Sequence, residues 1–184
     1  MTFDDKELLE RDALIEKILV PSEDIQRRVA ELGREISVDY DHTTPVLVSV
    51  LKGAVVFLAD LMRHISIPNE IDFMSVSSYQ GGTQSTGVVK ILMDLKTNIT
   101  DRDVLIVEDI IDTGLTLTYL EKILRARKPR SLRVCTLLNK ADARTEDLEI
   151  DYVGFDIPNE FVIGYGLDYD EKYRNLPFIG VMKG

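Results

Sequence analysis

Glu108, Asp109 and Asp112 are followed at once by Thr113-Gly114-Leu115-Thr116. The first two acids close the run Val104-Leu-Ile-Val107, which is too short for a buried helix and too β-branched to prefer one, so it reads as a core strand of a parallel sheet. The turn after it can open a helix over Leu115 to Arg127 and offer unpaired backbone N–H groups and hydroxyls to an anion. Carboxylates repel phosphate unless a cation or a sugar lies between them. The ligand that fits is therefore a phosphorylated sugar whose hydroxyls face Glu108 and Asp109, completed by a divalent metal. Taken alone, the stretch also fits a plain acidic strand end followed by a helix cap.

Other residues carry possible chemistry beside a blander alternative. Lys52-Gly53 ends the apolar run Val46 to Leu51, and its glycine lets backbone approach a ligand; a surface turn fits equally. The Gly- and Ser-rich stretch Ser77 to Gly87 is either a hairpin loop or a lid over a site. Lys140 follows Leu137-Leu138-Asn139 and is either solvated or aimed at a ligand. Phe161-Val162 fits plain strand core, and Asp168-Tyr-Asp-Glu-Lys-Tyr-Arg174 fits a charged surface turn. Cys135, in the apolar run Leu132 to Leu138, reads as a buried strand thiol, and as the chain's one cysteine it has no disulfide partner within the sequence. His42 and His64 have no nearby Cys or His to complete a metal pair and read as surface or helix-end residues.

These residues need a scaffold that places strand ends side by side. A length of 184 residues with 45% hydrophobic content suits one domain with a substantial core. Ser22 can cap a helix whose apolar face is Ile25, Val29, Leu32 and Ile36. Strand Val46 to Leu51, helix Ala54 to His64, strand Ile71 to Ser77 and strand Val88 to Leu95 follow, and strand Leu132 to Leu138 comes after the motif helix. Strands alternating with helices predict an α/β fold with a right-handed, mainly parallel sheet, whose ligands bind at the strands' carboxyl ends. Twenty-two basic against thirty-two acidic residues give a net charge of −10, which argues against nucleic acid as a partner. Such a protein must hold a polyanion through local backbone donors, a few placed cations and metal. The N-terminal residues lack the basic and apolar regions of a signal peptide, and no apolar run approaches membrane-spanning length. The expected location is the cytoplasm.

Two acids after a hydrophobic strand, then Asp112-Thr-Gly-Leu-Thr116, resemble the phosphoribosyl-pyrophosphate motif of type I phosphoribosyltransferases. Leu51-Lys52-Gly53, Ser77-Ser78-Tyr79, Leu138-Asn139-Lys140 and Phe161 to Arg174 resemble one branch, the hypoxanthine(-guanine) phosphoribosyltransferases, in that family's order. The resemblance implies a single type I phosphoribosyltransferase domain over residues 1–184. Its twisted sheet would be flanked by helices, with a small hood over the strand carboxyl ends formed by the N-terminal segment and the region after about 140. It implies transfer of the 5-phosphoribosyl group from phosphoribosyl pyrophosphate to N9 of hypoxanthine or guanine, with Mg²⁺ as cofactor. A homodimer or homotetramer is the expected assembly.

By the same resemblance, Leu51, Lys52 and Gly53 form a pyrophosphate loop with a cis peptide before the lysine, and Arg174 also contacts pyrophosphate. Glu108 and Asp109 hold the ribose hydroxyls, Thr113, Gly114, Leu115 and Thr116 hold the 5′-phosphate, and Asp112 is the catalytic proton acceptor. Lys140 reaches the 6-oxo group of the purine, Phe161 and Ile110 cover its two faces, and the Val162 backbone pairs with its edge. Asp168 serves the base edge and, with Glu108 and Asp109, a metal held largely through ribose hydroxyls, pyrophosphate or water. Ser78 and Tyr79 lie on the closing lid, which a ribosyl cation would need as a shield from water. Leu115 departs from family members that carry Lys there, which puts one extra cation in doubt. A xanthine-preferring enzyme of the same family stays open, as does a nucleic-acid-binding regulator on the same fold. Lys140 with Phe161-Val162 disfavours adenine and orotate.

Overall fold

The computed structural model describes residues 4–78 and 89–183. In chain order it contains α1 (Asp5–Arg11), β1 (Ile15–Val20), α2 (Ser22–Asp39), β2 (Val46–Leu51), α3 (Val55–His64), β3 (Glu70–Ser78), β4 (Val89–Met93), β5 (Asp103–Ile111), α4 (Leu115–Arg125), β6 (Ser131–Asn139), β7 (Tyr152–Asp156), β8 (Val162–Ile163) and β9 (Ile179–Met182). A large sheet has the order β4-β3-β2-β5-β6-β7, and a small one the order β1-β9-β8. In the large sheet β3, β2, β5, β6 and β7 run parallel, and only edge strand β4 is antiparallel.

Strand periodicity divides the core into two layers. Leu47, Leu105 and Leu137 face Ile25, Val29, Leu32 and Ile36 of α2 and Phe57, Leu58 and Leu61 of α3. Their neighbours Val46, Val48, Val104, Ile106 and Val134 face Leu117, Leu120 and Leu124 of α4 on the opposite side. Each such side chain contributes about 1.5–3 kcal/mol by leaving water. The central strands are apolar on both faces because both faces are covered. Cys135 lies in the first layer and is fully buried, which pushes its thiol far up, as a structural thiol requires. His42 is exposed at a left-handed turn, and His64 ends α3.

The layout puts the carboxyl ends of β2, β5 and β6 side by side. Ser49 pairs with Val107, and Ile111 pairs with Asn139. The antiparallel small sheet joins the N-terminal strand to the last one, Ile15 opposite Met182 and Val162 opposite Val181. Its connection from Gly164 to Phe178 reaches the ends of β2 and β5, where Gly166 meets the backbone of Gly53. The stretch after residue 140 is divided between the sheets, since β7 extends the large one beside β6.

The cap of α2 and the ends of α4 and β4 differ from the sequence expectation. Ser22 does not cap α2. Pro21 occupies the cap position, Ser22 is the first helical residue, and its N–H donates to Asp5 Oδ2 at 2.7 Å. Helix α4 ends at Arg125 rather than Arg127, because Pro129 disfavours helical backbone before it and Lys128 turns left-handed. Strand β4 ends at Met93 rather than Leu95, where Asp72 Oδ2 accepts the N–H groups of Lys96 and Thr97 and draws the chain off the sheet edge. Strands β3 and β4 pair antiparallel, with Ser77 opposite Lys90. Ser78 ends β3, while Tyr79 and the remainder of the expected lid to Gly87 lie outside the described residues. Among those described, no helix is long and apolar enough to cross a membrane.

Asp103 anchors the far end of β5. It accepts from Arg130 Nε at 3.0 Å, from Arg130 Nη2 and from Ser131 Oγ at 2.7 Å, and the guanidinium holds its carboxyl below 3.8, the ordinary value, against the opposing pull of burial. A depressed acid stabilises the fold above its unfolded pKa, and that contribution is lost as pH falls through the folded one. Asp103→Ala should therefore cost about 1–2 kcal/mol at pH 7 in chemical denaturation, discounted for the exposed Arg130. The difference should shrink as pH drops below 3.8; an equal loss at pH 7 and pH 3 would assign the effect to packing instead.

Candidate active site

Strand β5 delivers its acids into a cavity of about 240 Å³, lined by Val50, the run Glu108 to Gly114, Thr116 and Leu117. Glu108 is buried with no cation beside it among the described residues, and desolvation, then the neighbouring Asp109, pushes its carboxyl well above the ordinary range. Asp109 is pushed up to about 6, first by desolvation. The Ile110 N–H, which donates to Asp109 Oδ1 at 2.8 Å, and the charge of Arg174 oppose that rise. Two carboxylates so placed are strong acceptors for neutral hydroxyls.

The turn after β5 has the geometry of an anion cradle. Gly114 adopts φ +87°, and a Cβ there would lie 2.6 Å from Leu148 Cδ1. Gly114 at the cap position has no side chain to offer, and the Leu115 N–H meets Thr113 Oγ1 only at a long 3.5 Å, so the start of the helix can turn its N–H groups to an anion beside the hydroxyls of Thr113 and Thr116. The Thr113 carbonyl accepts from the N–H groups of Thr145 at 3.0 Å and Glu146 at 3.3 Å, which fixes the turn from the far side. Leu115 is partly exposed and leaves the cradle without a side-chain cation at that position.

Asp112 is exposed, and its Oδ2 lies 3.3 Å from Nζ of Lys140, whose side chain is only 8% exposed. The solvated-lysine alternative is thereby excluded. Lys140 N donates to Ile111 O at 2.9 Å, tying the end of β6 to that of β5. Just before it, Asn139 donates from Nδ2 to Asp156 Oδ1 at 2.6 Å and accepts from Arg144 Nη2. This brace had no sequence signal, because Asn139 reads as one polar residue at a strand end.

The loop at β2 closes the third side. The Leu51–Lys52 peptide is cis. A Cβ on Gly53 would lie 1.7 Å from Asp109 Oδ2, so the glycine is what lets that carboxylate in. Lys52 Nζ meets Glu171 Oε2 at 3.0 Å, and Arg174 Nη2 meets Asp168 Oδ1 at 2.8 Å and Glu171 Oε2 at 3.3 Å. Arg174 Nη1 also donates to Gly166 O at 2.8 Å. Glu171 was not singled out in the sequence, although its spacing three residues before Arg174 is visible there. Phe161 joins less directly. Its ring is 56% exposed and meets Tyr169 edge-on, with centroids 5.9 Å apart, next to Asp168. Val162 is buried in β8, and Ile110 lies partly buried on the cavity wall.

Oxygen donors are the right chemistry for a hard divalent cation. Among the described residues no group of three His, Cys, Asp or Glu could hold a metal. A cation at Glu108, Asp109 or Asp168 therefore needs ligands from substrate and water as well.

The sequence pattern of the phosphoribosyl transferase domain matches residues 17–170. The chain belongs to this family, and its α/β architecture is the type I phosphoribosyltransferase fold. It is 54% identical over 169 residues to the hypoxanthine-guanine phosphoribosyltransferase of Bacillus subtilis (strain 168), covering 92% of this chain and 94% of the relative. Among solved structures it is similar to a hypoxanthine phosphoribosyltransferase from Staphylococcus aureus, with TM-score 0.89, 49% identity and 92% of each chain covered. It is likewise similar to the Trypanosoma cruzi hypoxanthine phosphoribosyl transferase, with TM-score 0.88 and 43% identity over 94% of this chain and 93% of that one. The T. cruzi structure concerns the role of its C-terminal region in oligomeric state and activity.

Gly53→Ala should fold yet displace Asp109, since the atom in the way is a side-chain end. A shift near 1 Å at a reacting site costs on the order of 10²-fold, so kcat/KM for phosphoribosyl transfer should fall by about that factor with little change in melting temperature. Unchanged turnover would remove Asp109 from the site.

Proposed function

We propose that this protein is a purine-salvage enzyme that transfers the 5-phosphoribosyl group from phosphoribosyl pyrophosphate to N9 of hypoxanthine or guanine, giving IMP or GMP and pyrophosphate. The observation that carries the reading is the pair of Lys140 and Asp112, a buried cation and an exposed carboxylate 3.3 Å apart beside the anion cradle. A 6-oxopurine presents an acceptor for the first and a ring N–H for the second. Adenine presents an amine where Lys140 offers only donors. The similarity to hypoxanthine-guanine enzymes over more than nine tenths of the chain supports the same substrates.

In this reading Glu108 and Asp109 accept the ribose 2′- and 3′-hydroxyls, and the Asp112 to Thr116 turn holds the 5′-phosphate through backbone N–H groups and the two threonine hydroxyls. Leu51, Lys52 and Gly53 form the pyrophosphate loop, and Lys52 with Arg174 neutralises the departing anion. Phe161 stacks on the base, Ile110 closes the opposite face and the Val162 backbone meets its edge. Asp112 accepts or stabilises the purine proton as N9 displaces pyrophosphate at C1′. Mg²⁺, when bound near Glu108, Asp109 and Asp168, supplies charge for the leaving group. The exposed Phe161 ring and the weakly capped start of α4 support binding from this side. The small sheet acts as the hood, with Ser78 and Tyr79 on the lid. The chain works in the cytoplasm as a homodimer or homotetramer, without nucleic acid or membrane as a partner.

A base panel with phosphoribosyl pyrophosphate and Mg²⁺ tests this directly. Hypoxanthine and guanine should be converted, and adenine and orotate should not. Asp112→Asn should lower kcat by roughly 10²- to 10⁴-fold with smaller changes in KM. Lys140→Ala should lower kcat/KM for both oxopurines alike, by roughly 10- to 10²-fold, the worth of one charged hydrogen bond. Conversion of adenine, or wild-type turnover by Asp112→Asn, would overturn the reading.

A further inference from the structure

The two cations assigned to pyrophosphate share one carboxylate. Oε2 of Glu171 lies 3.0 Å from Lys52 Nζ and 3.3 Å from Arg174 Nη2, bridging two loops far apart in sequence. We propose that Glu171 is an internal competitor of pyrophosphate, holding Lys52 and Arg174 until the anion displaces it and reclaiming them as the leaving group departs. This rests on the reading of those two cations given above.

Three features support a replaceable contact rather than a structural one. Lys52 and Glu171 are about two thirds exposed, at 67% and 65%, so an incoming anion reaches both from solvent. An exposed pair of single charges is weak, whereas a pyrophosphate group brings several charges to the same two cations. Glu171 also sits where its side chain has no local conformational reason to be. Tyr169 and Lys172 exchange both backbone hydrogen bonds, at 3.1 and 3.0 Å, and the residues between them, Asp170 and Glu171, have φ of +51° and +62°. A two-residue hairpin turn of this kind favours Asn, Asp or Gly, and Glu is a poor occupant of it. Arg174 keeps its direction when Glu171 leaves, because Asp168 Oδ1 at 2.8 Å and Gly166 O at 2.8 Å still hold it.

Removing the competitor should tighten both diphosphate-bearing ligands and leave the base alone. Glu171→Gln should lower the KM for phosphoribosyl pyrophosphate and the product-inhibition constant for pyrophosphate together, each by roughly 2- to 5-fold, with the KM for hypoxanthine unchanged. Glu171→Asn removes the same charge with a residue suited to the left-handed turn, so it should give the same shift even if glutamine disturbs the hairpin. Asp170→Asn removes one charge next door, where Asp170 meets Lys172 at 3.5 Å, and should leave both constants at wild-type values. Lys52→Met should raise the pyrophosphate constant. Unchanged or weaker pyrophosphate binding in both Glu171 variants, with Lys52→Met weakened as expected, would overturn the competitor role and leave the site assignment standing. An unaffected Lys52→Met would overturn the assignment of Lys52 and this inference with it. An Asp170→Asn effect equal to that of Glu171→Gln would reduce the role to general charge.

Discussion

Everything at this site depends on keeping two carboxylates, Glu108 and Asp109, at the end of a strand that is apolar for its whole preceding length. Val104 to Val107 are fully buried, and the acids follow at the end of that run, so desolvation raises both carboxyls, against the charge of Arg174 at Asp109. The fold tolerates this through backbone. Ile110 N–H bonds Asp109, Gly53 clears the space beside it, and Asp103 is tied to Arg130 at the other end of β5. A polar ligand that supplies hydroxyls turns the cost into binding, because it returns the hydrogen bonds that burial removed.

The surrounding cations follow a complementary rule. Lys140 is paired with Asp112, Lys52 with Glu171, and Arg174 with Asp168 and Glu171. A protein of net charge −10 cannot draw polyanions through its overall field, and here each of these cations is paired with a carboxylate. The Lys140 cation is buried, so packing fixes its direction, whereas the Lys52–Glu171 pair is exposed on both sides and exchanges readily with solvent and ions.

The architecture was legible because the period of the apolar residues is so regular. Ile25, Val29, Leu32 and Ile36 marked the face of α2, and the unbroken run Val46 to Leu51 marked a strand covered on both sides. The acidic pair and the Gly114 turn marked the strand end that matters. Local hydrogen bonds that compete with regular structure were not legible. Asp72 collecting the N–H groups of Lys96 and Thr97 ends β4 early, and Asp5 rather than Ser22 serves the start of α2. At the site, Glu171 was hidden because its partners Lys52 and Arg174 come together only when the Gly164 to Phe178 connection folds back over β2. The Asn139, Asp156 and Arg144 brace was hidden for the same reason.

The central claim is that the β5 carboxylates are held in a state unfavourable to the empty protein. The folded pKa of Asp109, about 6, lies above its ordinary 3.8. An acid raised in this way stabilises the fold below its unfolded pKa, and that contribution is lost as pH rises through about 6. Replacing the charge by an amide of the same shape keeps the Ile110 hydrogen bond and removes the penalty. The decisive measurement is the melting temperature of ligand-free, chelator-treated Asp109→Asn against wild type at pH 8 and pH 4. The penalty is on the order of 1–3 kcal/mol, so the variant should melt roughly 2–8 °C higher at pH 8, with most of that gain gone at pH 4. A variant that melts lower than wild type at pH 8, or that gains equally at both pH values, would contradict the account.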